Sequence, residues 1–215
     1  SQNRVIRKTD SDKNITEIKY DDAHNIVSQS IYKTVAANDG YAVQLDGKTT
    51  TQKDNVGNTI KETQYFAADD EEEVSEKSIS YTYDGKGRKV KSVDVKGNVT
   101  EYKYNFQGLL VETLYPNGLK DFNTYNKDGY ISATEAKDSS ITLSKTQYKT
   151  NALGYVFEEE ALTGTELTSQ SVVTTRKFDG RGNVLSEKIQ YKNDATDIRE
   201  KKWTYDWKGN ILSET

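Results

Sequence analysis

The segment from Thr124 to Glu135 holds the residues whose spacing best fits metal chemistry. An EF-hand calcium loop places oxygen ligands at its first, third, fifth and twelfth positions. Asn126, Asp128 and Glu135 occupy the last three of these, but the first position holds Thr124 where a carboxylate is required. Asn126 and Asp128 also fit the turn of a repeated hairpin described below. We therefore expect no metal, with calcium at Asn126, Asp128 and Glu135 as the weaker alternative.

Other combinations of catalytic residues are sparse. The chain has no cysteine, and its one histidine is His24, so no second histidine or thiol can complete a zinc site or a Ser/Cys–His pair. A glycosidase needs two carboxylates flanking a cleft, and the consecutive acids of 158–160 do not indicate such a pair. Gly85 and Gly87 lack the third glycine of a dinucleotide-binding loop. The sequence predicts a protein that is not an enzyme and uses no cofactor.

Aromatic side chains are the best candidates for ligand binding. Tyr81, Tyr102, Tyr148 and Trp203 occupy one equivalent position in four of the sequence repeats, and Trp207 falls inside a turn. Planar rings in a row on a solvated sheet could stack on sugar rings. The favoured interpretation is that the rings form the sheet's own apolar face and its cross-strand pairs, with glycan binding as the alternative.

Composition narrows the class of protein further. Acidic and basic residues number 34 and 30 and are interspersed, so the clustered cations that nucleic-acid binding requires are missing. No run of 18 apolar residues is present, so the sequence predicts no membrane span. Only 33% of residues are hydrophobic, yet there are 15 tyrosines, a balance typical of antiparallel sheets with a solvated face.

One sequence unit recurs along the chain. It consists of an aromatic residue, Asp or Asn, two variable residues, glycine, and then two or three apolar residues. We call the first residue of each copy the anchor. Three copies are weaker, because their anchor is not aromatic or, in the copy at Tyr20, because His24 takes the place of the glycine. The anchors are Tyr20, Lys53, Tyr83, Tyr104, Tyr125, Thr150, Phe178 and Tyr205.

The residue types of the unit predict a β-hairpin. Asp or Asn at a turn start hydrogen-bonds the backbone ahead of it, and glycine four residues after the anchor supplies a positive φ. Aromatic and polar residues alternate before the turn, as in Tyr81 and Tyr83, which is strand periodicity. Return turns are expected at 96–98 and 115–118, and the acidic run 69–73 is expected to form a solvated loop.

The hairpins together predict the architecture of the chain. We expect residues 1–215 to form one all-β array, an antiparallel meander of repeated β-hairpins that makes an open, curved or spiralling sheet. Because parallel sheets need long crossover connections and these turns are short, successive strands should pair with their neighbours in sequence.

The repeat resembles the tyrosine–aspartate repeat, known as the YD or RHS repeat. The segment Tyr83-Asp84-Gly85-Lys86-Gly87-Arg88 carries the likeness best, and the likeness extends from about Tyr20 to Thr215. Proteins with such repeats include bacterial wall-associated and polymorphic-toxin proteins, insecticidal toxin-complex subunits and the animal teneurins. The self-cleaving Asp-Pro-x-Gly signature of the shell-forming toxins is absent, since Pro116 is the only proline and follows Tyr115.

The resemblance implies a function and a location. It implies a non-catalytic scaffold segment of a secreted or cell-surface bacterial protein, one that encloses or displays other domains. Flanking repeats or domains of a larger protein are the expected partners. The alternative is a cell-surface adhesion or carbohydrate-binding module that uses exposed rows of Tyr and Trp, with glycans as its partners.

Overall fold

The chain is all-β, as the repeat predicts. The computed structural model describes residues 4–37, 40–66, 75–163, 171–192 and 194–215, and these form seventeen strands and no helix. The predicted loop at 69–73 lies outside the described residues. The chain divides into two compact units, Ser1–Glu101 and Tyr102–Thr215.

The first unit is a meander in which each strand pairs antiparallel with its neighbour in sequence. Its strands are β1 (Arg4–Thr9), β2 (Ile15–Asp21), β3 (Ile26–Ala37), β4 (Gly40–Lys53), β5 (Thr59–Phe66), β6 (Ser75–Tyr83), β7 (Lys89–Val93) and β8 (Val99–Tyr104). The last three residues of β8 belong to the second unit.

The second unit repeats this arrangement, again with antiparallel pairs between sequence neighbours. Its strands are β9 (Leu110–Leu114), β10 (Leu119–Tyr125), β11 (Ile131–Asp138), β12 (Ile141–Thr150), β13 (Val156–Thr163), β14 (Ser171–Phe178), β15 (Val184–Tyr191), β16 (Asp194–Tyr205) and β17 (Ile211–Glu214). In the described part of each unit no ladder joins the first strand to the last, so both meanders are open.

The anchors mark the strand ends. Seven of the eight anchors are the last residue of a strand, and Tyr20 lies one residue before the end of β2. Each strand ends there because the next residue, Asp or Asn in every copy, begins a turn. The repeat therefore predicts the strand boundaries as well as the strand type.

Glycine allows the turns to close. The repeat glycines adopt positive φ, for example 76° at Gly87 and 92° at Gly182, which completes a three-residue loop with a bulge. In the first copy His24 takes the place of the glycine, as the sequence predicts, because His24 N donates to the Asp21 carbonyl at 3.3 Å. There Asp21 pairs directly with Ile26, and the positive φ of 52° falls on Asn25.

Neither unit has a conventional hydrophobic core. Among the described residues no hydrophobic side chain is buried, and the buried ones are Ser30, Thr63, Thr113 and Ser171. Most domains bury an apolar face against a second layer. Here the backbone ladders and the contacts along the sheet must carry more of the stability.

Candidate ligand-binding face

The hairpin turns hold the strands in register through one repeated set of hydrogen bonds. Asp84 N donates to the Arg88 carbonyl at 2.9 Å, and Gly87 N donates to the Asp84 carbonyl at 3.0 Å. The Asp84 carboxylate accepts from Lys86 N, Arg88 N and Arg88 Nε at 2.8–3.0 Å. The same arrangement, with Asn in place of Arg, occurs at Asp54, Asp94, Asp179 and Asp206.

These bonds change the acidity of the turn carboxylates. The pKa of Asp84 is lowered to about 2, first because the Arg88 side chain bonds its carboxylate and then because backbone amides do so. Side-chain bonds from Asn58, Asn183 and Asn210 lower the pKa values of Asp54, Asp179 and Asp206 in the same direction. The turn carboxylates therefore serve to hold the backbone of the turns.

Both predicted return turns adopt the same geometry, with positive φ at Gly97 and Gly118.

Anchor tyrosines connect successive hairpins. The hydroxyls of Tyr83, Tyr125 and Tyr205 donate to the main-chain carbonyls of Thr59, Leu110 and Val184 at 2.7–2.8 Å. Each acceptor lies two residues after the turn glycine of the preceding hairpin. The periodicity alone indicates that these rings share a face, but the backbone acceptor depends on the register between hairpins.

The predicted ligand-binding rings lie opposite small or polar residues of the next strand. In seven of the eight copies the residue two places before the anchor pairs with the residue nine places after it. These pairs include Tyr81–Ser92, Asn123–Thr134, Tyr148–Glu159, Arg176–Glu187 and Trp203–Glu214.

Each of the four strand rings is half-buried. Lys89 Nζ lies 4.1 Å from the centre of the Tyr81 ring, and the Tyr148 hydroxyl lies 3.4 Å from Thr134 Oγ1. Lys201 Nζ donates to Glu214 Oε1 at 2.8 Å, and this bond lowers the pKa of Glu214. Glu214 is the residue directly opposite Trp203 on the ladder.

The row of rings in the second unit is interrupted by polar side chains. Arg176 occupies the place between Tyr148 and Trp203, where its guanidinium contacts Glu187 at 2.8 Å and Glu159 at 3.2 Å. Because strands lie about 4.8 Å apart, two repeats separate Tyr148 from Trp203 by roughly 19 Å. The two rings do not form one continuous stacking platform.

Trp207 differs from the other four rings because it projects from a turn. Its side chain is 76% exposed, and Lys208 Nζ lies 5.0 Å from the ring centre. The guanidinium of Arg181, in the preceding turn, donates to the Trp207 carbonyl. An exposed aromatic ring is what a stacking ligand would require.

The residues of the calcium alternative are not brought together. Asn126 Oδ1 accepts from the backbone amides of Asp128 and Tyr130 at 3.0 Å, as in the other turns. Glu135 lies on β11 opposite Phe122, away from the turn. Desolvation raises the pKa of Glu135, but bonds from Thr142 and Lys137 lower it overall. Within the described ranges no three Asp, Glu or His side chains lie close enough to hold a metal ion.

A groove in the first unit has no counterpart in the sequence prediction. Its volume is about 550 Å³. Cross-strand pairs of Val5 with Lys19, Lys19 with Ser28 and Ser28 with Thr50 form its floor. These residues are far apart in sequence, so only the strand register reveals them. The other lining residues are Tyr20, Asp21, Ile26 and Tyr65.

Comparison with known proteins finds likeness only among solved structures. The sequence matches no model of a protein family and no curated protein. The chain is similar to part of the Photorhabdus luminescens Tc holotoxin pore, with 12% identity, a TM-score of 0.47 and coverage of 97% of this chain and 14% of that chain. The crystal structure of TcdB2-TccC3-Cdc42 gives 12% identity, a TM-score of 0.46 and coverage of 96% and 14%.

This chain thus spans 14% of the length of those two toxin chains. The part of the chain that the structure describes contains no helix long and apolar enough to cross a membrane.

Proposed function

We propose that the chain is a non-catalytic scaffold segment that holds flanking repeats or domains of a larger protein. The observation that carries this proposal is the use of the repeated polar side chains. Turn carboxylates bond their own backbone, and anchor hydroxyls bond the preceding hairpin. The polar side chains that a catalytic site would use instead form hydrogen bonds that fix the strand register and join one hairpin to the next.

The finer parts of the proposal come from the resemblance to the YD repeat. We propose that the parent protein is exported or displayed on a bacterial cell surface, and that this segment encloses or displays other domains. Support comes from the Tyr-Asp-x-x-Gly units, of which Tyr83 to Gly87 and Tyr205 to Gly209 are the clearest. The absence of cysteine and the interspersed charges are compatible with such a role.

A second candidate function is carbohydrate binding by an adhesion module. The observation that favours it is the 76% exposure of Trp207, a large ring that projects from a hydrogen-bonded turn. The half-buried rings of Tyr81, Tyr102, Tyr148 and Trp203 contribute less, because an ion-pair cluster at Arg176 interrupts their row.

A glycan array separates these two candidates. We would probe the purified chain alongside Trp203→Ala and Trp207→Ala variants, with Tyr41→Ala as a matched control, because Tyr41 is 75% exposed but lies outside the predicted row. The scaffold proposal predicts no glycan signal that depends on either tryptophan. Specific binding that is lost in Trp203→Ala or Trp207→Ala, and retained in Tyr41→Ala, would replace the scaffold role with adhesion.

A further inference from the structure

The hairpin turns of the second unit pack side by side along one end of its strands. Because the meander is antiparallel, the strands that end at anchors all run in the same direction, and their turns lie at the same end. Tyr155 lies against Gly182 of the next turn, and Asn183 Oδ1 lies 3.7 Å from the position that a Cβ would take on Gly209. We call these turns the turn ridge, and its residues are 105–108, 126–129, 151–154, 179–182 and 206–209.

Large apolar side chains project from every second turn of the ridge. The two apex residues of each turn, the second and third after the anchor, are exposed. In the first, third and fifth turns one of them is apolar, with Phe106 88%, Leu153 67% and Trp207 76% exposed. Each hairpin adds two strands about 4.8 Å apart, so neighbouring apolar tips are separated by roughly 19 Å. Exposure of side chains of this size costs free energy unless another surface covers them.

Cationic side chains lie between and beside these apolar tips. The apex of the second turn carries Lys127 and Asp128, and the apex of the fourth carries Arg181. In the fifth turn Lys208 follows Trp207, and Lys208 Nζ lies 5.0 Å from the centre of the Trp207 ring. The guanidinium of Arg181 donates to the Trp207 carbonyl, which places a second cation next to this ring. The ridge therefore combines apolar tips with adjacent positive charge.

The acids at the start of the turns do not lie at the apices. The carboxylates of Asp179 and Asp206 each accept from two backbone amides of their own turn at 2.8–2.9 Å. The other three turns of the ridge have neutral asparagine at this place. The apices thus hold three cations and one anion, whereas the net charge of the whole chain is −4. This local excess of positive charge indicates an anionic partner.

We propose that the turn ridge docks on the surface of a bilayer that contains anionic lipids, with Phe106, Leu153 and Trp207 entering the interface. Binding of this kind grows with the apolar area buried and with the attraction of cations to anionic headgroups. Tryptophan suits this level of a membrane, because its ring is apolar and its N–H is polar. Tips so widely spaced cannot share one groove of a protein partner, whereas a bilayer accepts each tip separately. The proposal goes beyond the scaffold function and does not depend on it.

The test is co-sedimentation of the whole chain with phosphatidylcholine vesicles, with and without phosphatidylserine. We expect binding to the phosphatidylserine vesicles that weakens as salt is added. Trp207→Ala and Phe106→Ala should each weaken it roughly fivefold or more, because less apolar area leaves water. Ile141→Ala is the matched control, since Ile141 is 54% exposed but lies at the opposite end of β12 from turn 151–154. Absence of binding, or an equal loss in the control, would overturn the proposal.

Tryptophan fluorescence locates the contact. The chain has two tryptophans, so Trp203→Phe leaves Trp207 as the only one. Its emission should move to shorter wavelength with phosphatidylserine vesicles, and Lys208→Glu should weaken vesicle binding roughly fivefold or more. Bound chain with an unchanged Trp207 emission would place the contact elsewhere and overturn the proposal. These vesicles carry no sugar, so either result leaves the scaffold role to the glycan array.

Discussion

The hydroxyl of Tyr205 donates a hydrogen bond of 2.8 Å to the main-chain carbonyl of Val184. This bond crosses from one hairpin to the preceding one and repeats at Tyr125 and Leu110. In a sheet without buried hydrophobic side chains among its described residues, such bonds between hairpins contribute a larger share of the cohesion. They supply a physical reason for tyrosine, rather than phenylalanine, at most aromatic anchors.

Removing either hydroxyl should weaken the chain measurably. We expect Tyr205→Phe and Tyr125→Phe each to lower the free energy of unfolding by about 1 kcal/mol, because a half-buried carbonyl loses its partner. Tyr191→Phe, on a ring that is 36% exposed and is not an anchor, is the control and should have little effect. Urea denaturation gives the values, and equal losses in all three variants would contradict the assigned role of the anchors.

Gly182 is predicted to be intolerant of any side chain. Its φ is 92°, and a Cβ there would lie 2.6 Å from Cζ of Tyr155. The Tyr155 ring stacks on Phe178 with ring centres 5.2 Å apart, so it cannot move without losing that contact. We expect Gly182→Ala to cost about 1–3 kcal/mol of unfolding free energy.

Gly180 in the same turn is the matched control for this substitution. It has no positive φ, and nothing lies within 4 Å of a Cβ built there. We expect Gly180→Ala to change the unfolding free energy by no more than about 0.5 kcal/mol. Thermal or urea unfolding of the two variants compares them directly, and similar losses would show that turn geometry does not limit stability.

Acid should loosen the turns within a defined pH window. The pKa of Asp84 is about 2 in the folded chain, against an ordinary value of 3.8 for aspartate. A carboxyl with a lowered folded pKa binds more protons when unfolded, so its stabilisation is complete above about pH 4 and is lost as pH falls towards 2. The pKa values of Asp54, Asp179 and Asp206 are lowered as well, so these turns should respond to acid in the same direction.

Asp84→Asn isolates this contribution, because it keeps an acceptor oxygen but removes the titrating charge. We expect the midpoint of thermal unfolding to depend less steeply on pH between 4 and 2 in the variant than in the unaltered chain. Carboxyl NMR titration of Asp84 measures its pKa independently. A titration midpoint close to the ordinary value for aspartate would contradict the proposed bonding by Arg88.

Sequence patterns predicted most of the fold because hairpin formation is local. The anchor, the turn acid and the glycine lie within five residues, so the ends of strands such as β6 and β16 can be read directly. The copy at Tyr20 shows the limit of this reasoning. His24 takes the place of the turn glycine there, but the positive φ falls on Asn25, which the spacing of the repeat does not predict.

The side-chain contacts on the candidate ligand-binding face were harder to predict, because they join residues that are distant in sequence. The position of Trp203 was predictable, but its place opposite Glu214 depends on the register of β16 and β17. The Arg176 cluster joins three strands. The floor of the groove includes Ser28 and Thr50, small polar residues that carry no sequence signal of a site.

Phe178 provides the most direct test that anchor hydroxyls join the hairpins of the scaffold. It is the only aromatic anchor without a hydroxyl, and the equivalent acceptor would be the carbonyl of Val156, two residues after Gly154. The measurement is the unfolding free energy of Phe178→Tyr in urea. We predict a gain of about 1 kcal/mol from one added hydrogen bond. No gain, or a loss, would contradict the account.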